Sequence, residues 1–492
     1  MAPLLAGGLV FVTSAAVLVL EILAVRLLAP YAGLTLETYT AIIGTMLAGI
    51  AAGTWIGGYA ADRLDPRRML GPLMVGGGAL AAASVPLVRL LGGSLSEGGG
   101  TSVMPLSFLA FFAPSAVLSA VSPTIVKLQL RDLRVTGRVV GRLSALGTAG
   151  AIIGTFLAGF VLIDVAPTTA SVVALGGLFV AAGAALWVWL STDRTGTVVV
   201  ALVAALLATG ASATAGDVCD TETKYHCVRI VPDDRRPGGR LLVLDTLRHS
   251  YVDVDDPTYL EFRYTKVFAD VIDAVAPDGA LDAVHVGGGG FTLPRYLSAV
   301  RPGSTNVVLE IDPGLVDVAR RRLGLTPGPT MDVRVGDGRL LIDDLSAAAH
   351  DIVLGDAFGG VAVPWHLTTV EFVAAVGARL RPGGAYVLNV IDLPPLRFAR
   401  AEVATLQRVF GHVAVIAPPA LLEGEQGGNF VLVASDVPID AAGITGAIRA
   451  RGGAEQVATG EAAAAFAGDA PILTDDHAPV DQWLARARRP RT

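Results

Sequence analysis

The residues best placed to do chemistry lie between Val284 and Asp356. A β-branched run, Ala283 to Val286, stops at four glycines, Gly287, Gly288, Gly289 and Gly290. A helix-like segment follows, and a second apolar run, Val307 to Leu309, ends in Glu310, with Asp312 two residues on. Glycines let a backbone turn tightly and approach a ligand with no Cβ in the way. An acid at the tip of the second strand sits where a ribose would offer its hydroxyls. Two further acids close the next apolar runs. Asp337, beside Gly338, follows Val333-Arg-Val-Gly, and Asp356 follows Ile352-Val-Leu-Gly. In open α/β sheets the ligand crevice lies beyond the carboxyl ends of the strands. Glu310, Asp337 and Asp356 therefore converge on one rim above the glycine turn. A lone Asp in such a place is usually a solvated loop residue or a helix N-cap, but three at consecutive strand ends point to a site.

The elements that must hold these residues read as a doubly wound unit. Strands are expected near 283–287, 306–310, 331–335, 351–355, 384–390, 411–416 and 429–434, with helices between them and a mostly parallel sheet. Before them, Tyr225 to Val231, a turn over Pro232 to Gly239 and Leu241 to Leu244 read as a small β-hairpin, and Tyr259 to Val275 has helical spacing. The hydrophobic content of 52% and charged content of 16% over 492 residues are too skewed for one soluble domain. The skew resides in residues 1–215, where seven stretches of about 20 apolar residues could each cross a bilayer: 7–29, 38–61, 69–91, 104–126, 143–165, 169–190 and 197–214. The expected layout is a multi-span all-α membrane bundle (1–215), a β-hairpin piece with a linking helix (216–280), and a Rossmann-like α/β domain (281–492).

Arg63, Arg67 and Arg68, then Lys127 to Arg142, then Arg194 occupy alternate loops, and the intervening loops carry no Lys or Arg. That asymmetry puts the N-terminus inside, and seven spans would leave the α/β domain outside. The only two cysteines, Cys219 and Cys227, lie eight residues apart just beyond the seventh span. A disulfide suits an oxidising compartment there, and two unrelated thiols in a cytosolic protein are the alternative. Glu21 and Arg26 lie within the first span, either as a structural pair or as part of a substrate path. Gly49, Gly53 and Gly57, and Gly150 and Gly154, form small-residue steps of the kind that let helices pack closely in lipid. Gly58 to Arg68 resembles the cytoplasmic loop of major facilitator transporters, although seven spans are too few for a complete twelve-helix transporter. A net charge of −7 without a basic patch argues against a nucleic-acid partner, and no metal-binding motif occurs.

Glu222-Thr-Lys-Tyr225-His226, Leu244-Asp245 through Tyr264, the glycine turn, Val308-Leu-Glu310-Ile-Asp312, Gly336-Asp337-Gly338-Arg339 and Asp356-Ala-Phe together resemble the spermidine synthase (polyamine aminopropyltransferase) family. Pro364 to Phe372 and Leu473 to Asp481 resemble its membrane-fused branch. The resemblance covers about 220–480 and implies a β-stranded piece on a class I methyltransferase-like α/β domain. It implies that Gly287, Gly288, Gly289, Glu310, Asp312, Asp337 and Gly338 bind decarboxylated S-adenosylmethionine, with Glu310 on the ribose and Asp337 on the adenine amine. Asp356 would be the catalytic acid, and His226, Asp245, His249, Glu261 and Tyr264 would line the amine pocket. Only a neutral amine attacks the carbon beside a sulfonium, and a carboxylate can bind the cation, orient it and accept its proton; the leaving thioether needs neither a metal nor a strong acid.

Departures from the family pattern bear on the substrate. Gly290 and Phe291 stand where the family has an Asp and a Gly, and Ala357, Phe358 and Gly359 replace a segment that ends in a second acid. His226 and His249 replace glutamines, and Lys266 stands where an acid is common. A diamine could bind through Asp245, Glu261 and Asp356, and a different acceptor is the alternative. The expectation is a multi-pass membrane aminopropyltransferase with its catalytic domain outside the cytoplasm. The alternatives are an S-adenosylmethionine-dependent methyltransferase and a non-catalytic polyamine-binding or transport protein. Expected partners are a small amine, the lipid bilayer and a second copy of the chain.

Overall fold

The computed structural model of the chain describes residues 1–33, 36–96, 103–130, 132–190, 218–276, 278–358 and 363–487. It divides into two compact units, Met1–Cys227 and Val228–Thr492.

The first unit holds six helical segments long and apolar enough to cross a bilayer: α1 (Pro3–Ala32), α2 (Glu37–Arg63), α3 (Pro66–Gly93), α4 (Val103–Gln129), α5 (Thr136–Val165) and α6 (Thr168–Leu190). The seventh stretch expected from the sequence, 197–214, lies outside the described residues. α3 packs along α6 and α1 along α5. The small-residue steps explain how closely helices approach, since a Cβ on Gly53 would stand 1.9 Å from the Ala116 carbonyl oxygen in α4. One on Gly150 would stand 2.1 Å from that of Phe11 in α1. Beyond α6, Cys219 and Cys227 are joined by a disulfide with a Cα separation of 5.3 Å. The loop they close is tied to helix ends. Arg26 donates to the carbonyls of Lys224 and Thr223, and the Thr168 amide donates to Glu222 at 2.7 Å.

In the second unit β1 (Cys227–Asp233), β2 (Arg236–Leu244) and β3 (Leu247–Asp253) form an antiparallel meander. Sequence reading expects one hairpin with a long turn at Pro232 to Gly239. Instead Asp233 pairs with Arg236 across a two-residue turn, and a register shift at Pro232/Asp233 lets Pro237-Gly-Gly239 continue within β2. The third strand follows a second two-residue turn, where Leu244 pairs with Leu247 and Asp245 adopts φ 53°. That left-handed geometry is the one tight hairpins demand.

The main sheet has eight strands: β4 (Asp282–Val286), β5 (Thr305–Glu310), β6 (Met331–Val335), β7 (His350–Gly355), β8 (Leu380–Asp392), β9 (His412–Ala417), β10 (Gly428–Ser435) and β11 (Gln456–Thr459), in the order β11-β9-β10-β8-β7-β4-β5-β6. The sheet is more mixed than expected. β6, β5, β4, β7 and β8 run parallel, whereas β10 pairs antiparallel with β8 and β9, and β9 with β11. The physical reason is connection length: β9 and β10 are joined by a loop with one short helix, Pro419–Leu422, too short for the crossover that a parallel pair needs. Alternate residues feed two cores. Val284 and Val353 pack on one face with Phe372 and Phe398, and Ala283 and Ile352 on the other with Val267 and Phe268. Helix α7 (Arg263–Val275) starts four residues later than its spacing suggests, because the backbone at Phe262 is still extended. α8 (Thr292–Val300), α9 (Pro313–Arg322) and α10 (Gly338–Leu341) follow β4, β5 and β6.

Candidate active site at the strand ends

The glycine turn joins β4 to α8. Gly287 has φ +95°, and a Cβ there would stand 2.5 Å from the Asp356 carbonyl oxygen, so only glycine fits. Phe291 begins α8 with φ 57°, fully buried, its ring tip 2.8 Å from where a Gly288 Cβ would stand. At the end of β5 the buried Glu310 carboxylate accepts the amides of Gly288 at 2.8 Å and Gly289 at 3.2 Å through one oxygen. Its other oxygen accepts the Asp312 amide at 2.9 Å. Burial raises the Glu310 pKa, and the three amides oppose that rise. Asp312 and Asp337 both act as helix N-caps. Asp312 accepts the Gly314 amide at 2.9 Å to start α9, and Asp337 accepts the Arg339 amide at 2.8 Å to start α10. His366 Nε2 lies 3.4 Å from the second Asp337 oxygen. Gly338 packs 3.1 Å, measured at its missing Cβ, from Val286.

Asp356 ends β7 and differs in kind. Its buried carboxylate accepts one hydrogen bond from the Tyr264 hydroxyl and one from the Asn389 amide, each at 3.0 Å. Asn429 donates in turn to the Asn389 carbonyl at 2.9 Å, which fixes the direction in which that amide points. Burial pushes the Asp356 carboxyl up to about 6, and the two donors hold it from rising further. Burial and the adjacent Asp356 raise the Tyr264 phenol well above its ordinary value, so it remains a donor. Asn389 and Asn429 are absent from the residues picked out by sequence. The available signal was weak: one amide inside each apolar strand, Tyr386-Val-Leu-Asn-Val-Ile and Asn429-Phe-Val-Leu-Val.

A cavity of about 480 Å³ opens beside Asp356, lined by His249, Tyr264, Asn389 and Asn429 among others. It brings together three of the residues expected at the amine pocket and catalytic position, His249, Tyr264 and Asp356. Asp245 and Glu261 do not line it. Asp245 is buried in the β2–β3 turn, and Glu261 accepts the Tyr259 hydroxyl and lies 3.9 Å from Arg235. Both acids therefore lie outside the lining of this cavity: hairpin geometry fixes one, and neighbours from the meander hold the other. His226 belongs to the first unit. His249 and Ser250 of β3 reach the glycine turn, where Gly290 donates to Ser250 at 3.1 Å and His249 Nδ1 lies 3.1 Å from the same hydroxyl.

No protein-family model matches this chain. A polyamine aminopropyltransferase of Vibrio vulnificus (strain CMCP6) is 31% identical over 150 residues, 30% of this chain and 48% of that protein. One from Chromobacterium violaceum is 26% identical over 141 residues, 28% of this chain and 53% of that protein. The chain thus spans about half the length of these curated relatives. Among solved structures, that of a probable spermidine synthase from Corynebacterium glutamicum ATCC 13032 is 32% identical, with a TM-score of 0.50, and covers 53% of this chain and 97% of its own.

Proposed function

Because this chain belongs to the spermidine synthase (polyamine aminopropyltransferase) family through part of its length, we propose that its second unit transfers an aminopropyl group from decarboxylated S-adenosylmethionine to a primary amine. The observation that carries this reading is Asp356, a buried acid with two side-chain donors that stands between the glycine turn and a ligand-sized cavity. When bound, the donor supplies an electrophilic carbon beside a positively charged sulfur. The residues do the rest. Gly287 to Gly289 let the turn close tightly against Asp356, Phe291 and His249, and Glu310 and Asp337 present carboxylates at the ends of β5 and β6. Asp356 binds the incoming ammonium, turns its nitrogen toward the donor and takes its proton. A carboxyl near 6 is mostly ionised at neutral pH yet basic enough to accept a proton.

The test is to incubate the purified chain with S-adenosylmethionine or its decarboxylated form and a set of amines, and to identify products by mass spectrometry. An aminopropylated amine together with methylthioadenosine is the expected result; a methylated product, or no product with either donor, overturns it.

The enzyme is further proposed to be an integral membrane protein with this unit outside the cytoplasm. The charge asymmetry of the loops, which puts the N-terminus inside, the apolar stretch 197–214 as a seventh span and the Cys219–Cys227 bridge support that reading. A C-terminal reporter active only outside the cytoplasm should give signal, and thiol labelling of the denatured, unreduced protein should find no free cysteine. A silent reporter with two reactive thiols would reverse the orientation.

A further inference from the structure

The cavity beside Asp356 has the wrong lining for a molecule charged at both ends. Away from Asp356 its walls are built from Phe262, Val267, Phe358, Ile391, Ile416 and Leu421. The fold places them there by strand alternation. Ile391 follows Asn389 on the same face of β8, and Ile416 stands directly across the β9–β10 ladder from Val431, itself opposite Asn389. Polar groups therefore cluster at the Asp356 end, and apolar side chains extend from it.

The charges along the lining settle which end of a substrate belongs where. Among the described residues two carboxylates line the cavity, Asp356 and Glu455. Glu455 is already engaged: Arg263 holds both of its oxygens through Nε and an Nη, each at 2.5 Å. Arg248 also lines the cavity. Away from Asp356 the lining thus carries two guanidinium groups and one carboxylate, a net positive charge. A second ammonium would meet apolar wall and like charge, and burying an unpaired cation is costly.

We propose that the acceptor is a primary monoamine with an apolar body and an uncharged or anionic far end, rather than a diamine. This rests on the aminopropyl-transfer reading given above. The amine enters with its nitrogen at Asp356 and its carbon chain along Ile391, Ile416 and Leu421. The nitrogen lone pair forms the new C–N bond while the electrons of the C–S bond return to sulfur, giving a neutral thioether. The proton lost from nitrogen passes to the Asp356 carboxylate.

The test compares hexylamine with 1,6-diaminohexane, which differ only in the second ammonium. The full-length chain in lipid nanodiscs is assayed with decarboxylated S-adenosylmethionine, and binding of each amine is measured separately by calorimetry. A kcat/KM at least tenfold higher for hexylamine is expected; equal or better use of the diamine overturns the proposal. Binding keeps the two ideas apart. If neither amine is transferred but hexylamine binds at least tenfold more tightly, the transferase reading fails and the acceptor class stands. If the diamine binds as well or better, the acceptor class fails whatever the turnover. Arg248→Ala, at an exposed position, and Ile391→Asp, which adds a carboxylate to the wall, should each shift the ratio of the two amines toward the diamine. An unchanged ratio in both folded variants overturns the assignment of the far end.

Discussion

The acids on the two sides of the strand-end rim are held by different kinds of donor. On the glycine side Glu310, Asp312 and Asp337 are gripped by main-chain amides of Gly288, Gly289, Asp312, Gly314 and Arg339. On the cavity side the donors to Asp356 among the described residues are side chains, Tyr264 and Asn389. Both Glu310 and Asp356 are buried, and burial raises both; three amides oppose the rise at Glu310, and two side chains oppose it at Asp356, which still reaches about 6. Backbone donors come with the fold and suit a carboxylate that must stay still. Side-chain donors leave a carboxyl poised where a proton can be gained and lost near neutral pH.

Removing the acid on the cavity side should break that contrast most severely. Asp356→Asn keeps the shape but cannot accept a proton, so turnover should fall by about 10²–10⁴-fold, with methylthioadenosine binding by calorimetry nearly unchanged. A variant near wild-type rate would mean that proton removal occurs elsewhere.

The next largest effect belongs to the other side. Glu310→Ala removes a charge-assisted hydrogen-bond acceptor, worth about 1.5–3 kcal/mol, so methylthioadenosine should bind roughly 10- to 150-fold more weakly. Turnover at saturating donor should suffer far less than in Asp356→Asn. Unaltered affinity would remove Glu310 from the donor site.

The smallest effect sharpens the comparison through pH. The rate should decline as pH falls through about 6, as Asp356 takes up its proton. Asn389 holds that carboxyl down, so Asn389→Leu should move the acid limb to higher pH; a limb that stays put would show that the rate reports another group. Stability should run the opposite way. The folded carboxyl at about 6 lies above its ordinary 3.8, so its charged form is the disfavoured one. The penalty is absent below the unfolded value, grows as pH rises between the two and is complete above 6. Asp356→Asn should therefore raise Tm more at pH 8 than at pH 4, measured by thermal unfolding.

The acids, the glycine turn and the strands that carry them were legible because each is a local signal, an apolar run that ends in a charged or flexible residue. What eluded the sequence depends on contacts between distant segments. Asn389 and Asn429 are ordinary amides until an antiparallel pairing of β8 with β10 sets them side by side. Asp245 and Glu261 carry the right charge and fall near the right place in the chain. Only the backbone angle at one and the Tyr259 and Arg235 neighbours of the other take them out of the cavity lining. The direction of β9 to β11 was equally hidden, because apolar alternation specifies a strand but not which way it runs.

Phe291 gives the glycine turn a further property. A bulky residue at φ 57° costs on the order of 1–2 kcal/mol, and here burial of the ring among Val252, Val308 and Leu315 offsets it. The ring acts as a plug that locks the turn from beneath, where a second glycine would leave the backbone free to wander. A ligand that docks on such a turn has little loop entropy to remove, so its affinity depends on contacts made rather than on order imposed. Phe291→Gly should cost the turn that rigidity together with the ring's packing against Val252, Val308 and Leu315.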